Sequence, residues 1–351
     1  VLDVPHDGWF TEEEVMWPGQ RMSLKVENVL ERTQSQYQDI LVFQSATYGK
    51  VLVLDGVVQI TERDEASYQE CITHIPLMAH PHPKRVLIVG GGDGGVLREV
   101  CKHPDVEEVV MCEIDEQVVA CAKRHLSDVT ATAFGDSRLT LRFQDAAEYV
   151  KTRQGAFDVV IMDSSDPVGP AESLYEASFL GSVRSALNPG GILCMQGECL
   201  WLHADFIRDT LAVAATQFAE VDYAFTGVPT YPCGQIGFIL CKGPRATPDP
   251  KAKPDTALTP TMRQPVRAPS DELLGRFKYY TPALHAASFV LPAFMERKLT
   301  GVRTPSSLGS VQPSPWGACA TALAVLGGVA VGAAVALTLG ARRRNTQGAP
   351  S

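Results

Sequence analysis

The chain has 351 residues, of which 45% are hydrophobic and 20% are charged, so it can bury a large core and divide into more than one domain. Its formal net charge of -9 argues against a nucleic-acid-binding protein and fits an enzyme whose substrates are cations. Nine cysteines are scattered without a Cys-x-x-Cys motif or a paired histidine spacing, which predicts reduced core residues of a cytosolic protein and no metal site.

The first 62 residues predict a small antiparallel β domain. Apolar and polar residues alternate over residues 24–30, and a second apolar run follows Asp39. The pair Asp55-Gly56 lies between two further apolar runs and is typical of a type I′ hairpin turn. Residues 63–79 then have helical spacing, which begins the domain that we expect to extend to residue 299.

A glycine-rich turn follows a buried strand within that second domain. The four aliphatic residues 86–89 run into five glycines and Asp93, and a helix follows directly. Glycines at such a turn let a ligand approach the backbone. Twenty residues beyond Asp93 a second strand ends at Glu113, where a carboxylate would lie beside the ribose of a bound nucleoside. Taken alone, this pattern also fits NAD, flavin and adenosylmethionine-type ligands, or a tight turn.

Strands and helices alternate over residues 84–242, which is the pattern of a doubly wound parallel sheet. Each of the first four strands ends in or just before an acidic residue: Asp93, Glu113, Asp145 and Asp163. Ligands of such sheets bind beyond the carboxyl ends of the strands, so we expect these side chains to converge on one crevice. A helix cap is the alternative interpretation of Asp145.

Two later loops add groups at the same opening. The fourth strand leads into Asp163-Ser-Ser-Asp166-Pro-Val-Gly-Pro170, where prolines hold two carboxylates in a turn that suits a cationic substrate. A proline-rich loop that precedes a β run brings Tyr231 near this turn, with an exposed hairpin loop as the alternative.

The C-terminal region differs in composition from the rest. Residues 300–316 predict a linker, residues 317–341 an uncharged apolar helix, and residues 342–351 a basic tail. The apolar run is long enough to cross about 30 Å of hydrocarbon, so the expected fold class includes a C-terminal transmembrane helix that anchors the enzyme. Alanine and glycine contribute little to insertion, and an alanine-rich extension outside any membrane is the alternative.

Three motifs in this order resemble those of the polyamine aminopropyltransferases, the family of the spermidine synthases: Gly90-Gly-Gly-Asp-Gly-Gly95, Asp163-Ser-Ser-Asp-Pro-x-Gly-Pro170 and Thr230-Tyr-Pro-Cys-Gly-Gln-Ile-Gly237. The resemblance covers residues 9–299. It implies a Rossmann-like fold of the class I methyltransferase type and a cytoplasmic homodimer or homotetramer. The implied reaction transfers an aminopropyl group from decarboxylated S-adenosylmethionine to putrescine, giving spermidine and 5′-methylthioadenosine without a cofactor or metal.

The resemblance also implies a role for each site residue. Asp163 would be the general base of a direct displacement, and Asp93 would repel the carboxylate of intact adenosylmethionine. The donor would be held by Gln38, Asp93, Glu113, Asp145, Ala146 and Pro170. The diamine would be held by Trp17, Tyr68, Gln69, Asp93, Asp163, Asp166 and Tyr231. Ala146 stands where the family commonly has glycine, so the resemblance does not settle how closely the backbone approaches the adenine at this position.

Two other functions stay open at this point. Putrescine N-methyltransferase shares the fold but uses intact adenosylmethionine, and Gln69 and Gln235 favour the aminopropyltransferase over it. A tail-anchored relative without activity, acting as a scaffold, is the second alternative. The full set of acidic residues argues against a scaffold, because an inactive relative has no chemical need for a base.

Overall fold

The computed structural model describes residues 8–12, 17–164, 169–243 and 262–304. The N-terminal part forms a five-stranded antiparallel sheet whose strands follow one another in sequence order: β1 (Trp9–Thr11), β2 (Ser23–Gln34), β3 (Asp39–Ser45), β4 (Gly49–Leu54) and β5 (Val57–Thr61). The predicted hairpin is confirmed, because β4 and β5 pair around Asp55 and Gly56, which both have positive φ, as a type I′ turn requires.

The helix expected after this sheet is α1 (Glu65–Ala79). It is buried on nearly every side, because it packs against the second sheet, against α2 (Gly95–Cys101) and against the C-terminal segment. Its polar residues therefore need partners inside the protein, and Glu70 accepts hydrogen bonds from the backbone N–H groups of residues 278–280.

The second sheet has seven strands in the order β11-β12-β10-β9-β6-β7-β8. Their bounds are β6 (Arg85–Gly90), β7 (Glu108–Glu113), β8 (Leu139–Phe143), β9 (Phe157–Asp163), β10 (Leu187–Gln196), β11 (Glu220–Gly227) and β12 (Gln235–Lys242). Strands β6 to β10 pair in parallel, whereas β12 lies antiparallel between β10 and β11. The predicted alternating pattern is thus confirmed for the first five strands, and the sheet closes with an antiparallel pair.

Helices on both faces bury the sheet. They are α2, α3 (Glu116–His125), α4 (Ala146–Lys151), α5 (Ala177–Ala186) and α6 (Ala204–Ala215), followed by the short α7 (Asp271–Leu274), α8 (Pro282–Ala287) and α9 (Ala293–Lys298). The chain runs from β6 outward through β7 to β8 and then returns to the other side of β6 as β9. The strand order therefore reverses between β6 and β9. A crevice opens at the carboxyl ends of β6, β7 and β9, where the acidic residues were expected.

The expected fold class needs one correction. Among the residues that the structure describes, no helix is long and apolar enough to cross a membrane, and α1, the longest of them, has 15 residues. A span needs about 20 apolar residues. The apolar run 317–341 lies outside the described residues. Over the described residues the fold class is therefore an α/β sheet preceded by an antiparallel β sheet, and no membrane-spanning helix is among their elements.

Candidate active site

One cleft of about 250 Å³ lies at the carboxyl ends of the central strands. Ten of the twelve residues that the resemblance singled out line it: Trp17, Gln38, Tyr68, Gln69, Asp93, Glu113, Asp145, Ala146, Asp163 and Tyr231. Asp166 lies outside the described residues, as does the side chain of Pro170. The structure thus brings together every predicted site residue whose side chain it describes.

The N-terminal sheet forms one wall of this cleft. Leu52 and Leu54 of β4 and residues 57–60 of β5 contribute a mostly apolar surface opposite the glycine-rich turn. Tyr231, from the loop before β12, donates a hydrogen bond over 2.5 Å to the carbonyl oxygen of Gln59. Both sheets therefore contribute walls of the cleft.

The glycine-rich turn packs directly against the end of β9. Gly90, Gly91 and Gly94 all have positive φ, and a Cβ atom on Gly90 would lie 2.2 Å from the carbonyl oxygen of Asp163. The N–H of Gly91 donates to that same oxygen over 2.8 Å. Only glycine fits at position 90, so the glycine-rich turn packs directly against the backbone of Asp163 and fixes the position of this residue.

Asp163 is half-buried, and only one of its two carboxylate oxygens has a hydrogen-bond partner among the described residues. The Tyr68 hydroxyl donates to Oδ1 over 2.7 Å, while Oδ2 has no hydrogen-bond partner within the described residues. Burial raises the pKa of Asp163 to about 6, and the charge of Glu113 also raises it, whereas the Tyr68 hydrogen bond lowers it. A carboxylate with this pKa can accept a proton near neutral pH.

Asp93 lies in the same cleft and is held in place by two donors. The N–H of Gly95 donates to Oδ1 over 2.8 Å, and Gln69 Nε2 donates to the same oxygen over 3.1 Å. Burial and, as the second cause, the neighbouring charge of Asp163 together raise the pKa of Asp93 to about 8. Two neighbouring carboxylates that repel each other are stabilised by a bound cation.

Glu113 ends β7 and lines the cleft beside the glycine-rich turn, where a Cβ atom on Gly92 would lie 2.9 Å from its Oε2. It is 7% exposed, and burial raises its pKa to about 7, although the N–H of Asp115 donates to Oε1 over 2.9 Å. Hydrogen bonds from the backbone N–H groups of Ile114 and Gly92 also lower the pKa of Glu113. The group is therefore positioned to accept hydrogen bonds from a ligand rather than from solvent.

Asp115 is a positioning residue that sequence reasoning did not identify. Its Oδ2 accepts hydrogen bonds from Gln38 Nε2 over 2.9 Å and from the Ser35 hydroxyl over 2.6 Å, and its Oδ1 caps α3. Asp115 thereby joins the N-terminal sheet to the second sheet and orients Gln38 toward the cleft. The available signal was a second acidic residue two positions after Glu113 at the end of the same strand.

Asp145 caps a helix, which was its alternative interpretation. Its Oδ1 accepts a hydrogen bond of 2.7 Å from the N–H of Ala147 at the start of α4. It also lines the cleft, beside Ala146, which is 7% exposed. A capping carboxylate keeps lone pairs that can accept further hydrogen bonds, so the cap does not remove Asp145 from the binding surface.

A further group of cleft residues was missed, although it follows the fifth strand as the others follow the first four. Gln196, Glu198, Cys199 and His203 line the cleft beyond β10. Glu198 Oε2 lies 2.8 Å from His203 Nδ1, and the Glu198 backbone has a positive φ of 62°. The signal was again position, because these residues begin at the carboxyl end of β10.

One cluster away from the cleft has the residue types of a metal site. Ligand atoms of Glu31, Cys121 and His125 lie within 4.8 Å of one another. Glu31 is already paired with the guanidinium of Arg124 and with His125. A cation would have to displace Arg124, so the cluster is explained by an ion pair.

Two family models match the chain: the Spermine/spermidine synthase domain over residues 65–250 and the Spermidine synthase tetramerisation domain over residues 8–62. A Spermidine synthase from Dictyostelium discoideum is 47% identical over 298 residues, which are 85% of this chain and 99% of that protein. Spermidine synthase 1 from Pisum sativum is 48% identical over 83% of this chain and 85% of that protein.

Solved structures agree with these sequence matches. A spermidine synthase in complex with the transition state analogue AdoDATO has a TM-score of 0.74 and 30% identity, covering 84% of this chain and 96% of that one. The spermidine synthase from Thermotoga maritima has a TM-score of 0.72 and 30% identity, covering 83% and 94%.

Proposed function

The chain belongs to the spermidine synthase family of aminopropyltransferases, and we propose that it transfers the aminopropyl group of decarboxylated S-adenosylmethionine to putrescine. The products would be spermidine and 5′-methylthioadenosine. The observation that carries this substrate assignment is the pair of half-buried carboxylates, Asp93 and Asp163, in one cleft. Both are held partly neutral by burial, and both gain from a cationic ligand.

Asp163 is the general base in this proposal. A primary amine has a pKa of about 10.4, so exposing its lone pair at pH 7 costs about 4–5 kcal/mol. Oδ2 of Asp163 has no partner among the residues that the structure describes, which supports its role as the acceptor of that proton. The amine nitrogen then attacks the carbon beside the sulfonium, a C–N bond forms, and both electrons of the broken C–S bond go to sulfur. This electron balance requires no covalent intermediate.

Asp93 selects the donor. An aminopropyl ammonium beside Asp93 would neutralise a carboxylate whose pKa is otherwise raised to about 8. Intact adenosylmethionine would instead place its own carboxylate there, and like charges a few ångströms apart in a dry cleft repel each other by kilocalories. Gln69 supports this arrangement, because it donates to Asp93 and so fixes the side chain.

The remaining site residues keep the roles that the resemblance implies, as proposals. Glu113 would bind the ribose hydroxyls, Asp145 the adenine amine, and Gln38 the nucleoside, with Ala146 and Pro170 beside the adenine. Trp17, Tyr68, Gln69, Asp166 and Tyr231 would line the diamine channel. The position of the described members around one cleft supports this division. Asp115 would act indirectly, through Gln38.

We also propose that the protein is a homodimer or homotetramer in the cytoplasm. The match of residues 8–62 to a tetramerisation domain supports an oligomer. The eight cysteines of the described residues are unpaired, which supports a reducing compartment. The proposed division into an N-terminal domain of residues 1–62 and a catalytic domain of residues 63–299 follows the two sheets, and light scattering would give the number of subunits.

A product assay with the full chain tests the proposed reaction. We expect spermidine and methylthioadenosine from decarboxylated adenosylmethionine and putrescine, and no product from intact adenosylmethionine. Asp163→Asn should remove this activity, and the matched control Asp209→Asn, on the exposed face of α6, should keep it. Methylputrescine as the product would overturn the proposal. A methyltransferase and an inactive scaffold are not favoured, because the relatives are spermidine synthases.

A further inference from the structure

A buried carboxylate just outside the cleft joins segments that meet at the cleft wall. Asp64 is 9% exposed and lies between β5 and α1, four positions before Tyr68. Its Oδ1 accepts a hydrogen bond of 2.6 Å from the hydroxyl of Thr61, the last residue of β5. Its Oδ2 accepts two from Thr230, over 2.9 Å from the backbone N–H and over 2.8 Å from the hydroxyl. Asp64 thus holds together positions that are 166 apart in the sequence.

The place of Asp64 in the sequence predicts a different use of its side chain. An aspartate directly before a helix commonly accepts a hydrogen bond from the second or third N–H of that helix. At α1 the backbone carbonyl of Asp64 accepts from the N–H of Ser67, and the side chain makes no cap hydrogen bond. Both carboxylate oxygens therefore serve the contacts between segments. Thr61 is fully buried and Thr230 is 1% exposed, so water does not replace the carboxylate if it is removed.

The segment that Asp64 holds carries Tyr231. Tyr231 follows Thr230 directly, lines the cleft and donates to the carbonyl oxygen of Gln59 in β5 over 2.5 Å. Its ring centroid lies 5.7 Å from that of Tyr68, which also lines the cleft. The hydrogen bonds of Asp64 therefore fix how the two tyrosines stand relative to each other.

We infer that Asp64 is a positioning residue for the diamine, a role that rests on the proposed function. It holds Tyr231 against Tyr68 and β5, and it does not itself line the cleft. Because the two tyrosines line the proposed diamine channel, loss of these hydrogen bonds should loosen the channel and weaken binding of the acceptor. The proposed donor site is formed by the glycine-rich turn and Glu113 on other elements, so donor binding should change little.

An acidic residue near a cationic ligand can also act through its charge alone, and substitution separates the two mechanisms. Asparagine lacks the charge but keeps the geometry, because its Oδ1 accepts from Thr230 while its Nδ2 donates to the Thr61 hydroxyl. Alanine keeps neither contact. Positioning therefore predicts that Asp64→Asn resembles the parent protein and that Asp64→Ala does not. Action through charge predicts that the two variants behave alike.

Asp158 provides a matched control at the opposite end of the strands. It also accepts three hydrogen bonds from other segments: from the N–H groups of Lys84 and Arg85, each over 2.9 Å, and from Asn188 Nδ2 over 2.7 Å. It lies at the amino-terminal end of β9, whereas the cleft lies at the carboxyl ends of the strands. Asp158→Ala therefore removes as many hydrogen bonds as Asp64→Ala does, without touching the channel.

The experiment measures the KM for putrescine, the KM for decarboxylated adenosylmethionine and the thermal midpoint, each with the full chain. We expect Asp64→Ala to raise the KM for putrescine by about tenfold, with the KM for the donor within about twofold of the parental value. Asp64→Asn should stay within about threefold of the parent protein for both substrates. Asp158→Ala should lower the thermal midpoint by several degrees, as Asp64→Ala does, and keep both KM values.

A second pair of variants tests the same contact with less disturbance. Thr230→Val removes only the hydroxyl donor and should raise the KM for putrescine by about threefold, whereas Thr230→Ser keeps the hydroxyl and the parental KM. Hydrogen exchange adds a readout that does not depend on turnover. The Thr230 amide donates directly to Asp64, so it should exchange faster in Asp64→Ala than in the parent protein or in Asp158→Ala.

An unchanged KM for putrescine in Asp64→Ala, or an equal rise in Asp64→Asn and Asp64→Ala, would overturn the inference. So would a rise of the same size in Asp158→Ala, because the effect would then follow from a general loss of stability. A parent protein that forms no spermidine, although Thr230 exchanges faster in Asp64→Ala, would instead contradict the proposed function and leave the link between Asp64 and the Tyr231 segment established.

Discussion

The Tyr68 hydroxyl lies 2.7 Å from Oδ1 of Asp163, a residue 95 positions away in the sequence. Tyr68 belongs to α1 and Asp163 to the end of β9, so the packing of a buried helix against the sheet sets this contact. The hydrogen bond stabilises the charged carboxylate against the larger, opposite effect of burial. The proton affinity of the proposed base therefore depends on a side chain from another element.

Replacing Tyr68 with phenylalanine should weaken the base at low pH. Without the hydrogen bond the pKa of Asp163 rises, so the acidic limb of the pH profile of kcat/KM moves to higher pH. A hydrogen bond to a charged group contributes about 1.5–3 kcal/mol, so we expect a loss of about tenfold or more at pH 6 and a smaller loss at pH 8. Tyr48→Phe, outside the cleft, is the control. An acidic limb that does not move would contradict the proposed effect of Tyr68.

Replacing Asp163 with asparagine should reduce kcat without unfolding the protein. General base catalysis contributes about 10²- to 10⁴-fold, so we expect a loss within that range in methylthioadenosine release. Because burial disfavours the charged form of Asp163, the neutral amide should not lower the thermal midpoint. An unchanged kcat in a folded variant would mean that another group accepts the proton.

Asp93 should make the unliganded protein less stable as the pH rises. Its pKa is about 8 when folded, against 3.8 ordinarily, so between these values the folded state holds a proton that the unfolded state has lost. The contribution of Asp93 to the free energy of unfolding is therefore greatest at low pH and falls as the pH rises toward 8. Each pKa unit corresponds to about 1.4 kcal/mol.

The variant Asp93→Asn removes this dependence on one carboxylate. We expect its thermal midpoint to exceed that of the parent protein by several degrees at pH 8, and the two to converge near pH 4. Glu113 and Asp163 contribute in the same direction and remain in the variant, so some slope should persist. A difference that grows toward low pH would show that the sign is wrong.

A side chain at Gly95 should displace Gln69 and weaken donor binding. A Cβ atom there would lie 2.3 Å from the Gln69 amide carbon, so Gly95→Ala must push Gln69 away from Asp93. We expect a higher KM for the decarboxylated donor, by about tenfold, because Asp93 loses one of its two donors. Gly135→Ala meets no atom within 4 Å and should keep the parental KM. Equal KM values for both variants would contradict the proposed role of Gln69.

The sequence pattern predicted the parts of the fold that depend on local periodicity. The Asp55-Gly56 hairpin is a short-range feature, and each of the five parallel strands carried its own apolar run in the sequence. The antiparallel placement of β12 between β10 and β11 was not predicted, because it depends on which strands pair over a long sequence separation.

The site was predicted mainly by the resemblance, and its supporting contacts were not. Strand-end position alone indicated that Asp93, Glu113, Asp145 and Asp163 converge. Asp115 was missed because its role is to hold Gln38, a contact between residues 77 positions apart.

The hydrogen bond between Tyr231 and Gln59 also affects the order in which the chain folds. It joins positions 172 apart in the sequence, so the cleft wall formed by β4 and β5 is not held in place until the loop before β12 has folded against it. Contacts of such long sequence separation form slowly, because the entropy of closing the intervening loop is lost before the contact compensates for it. A refolding chain should therefore regain its secondary structure well before it regains the capacity to bind a nucleoside.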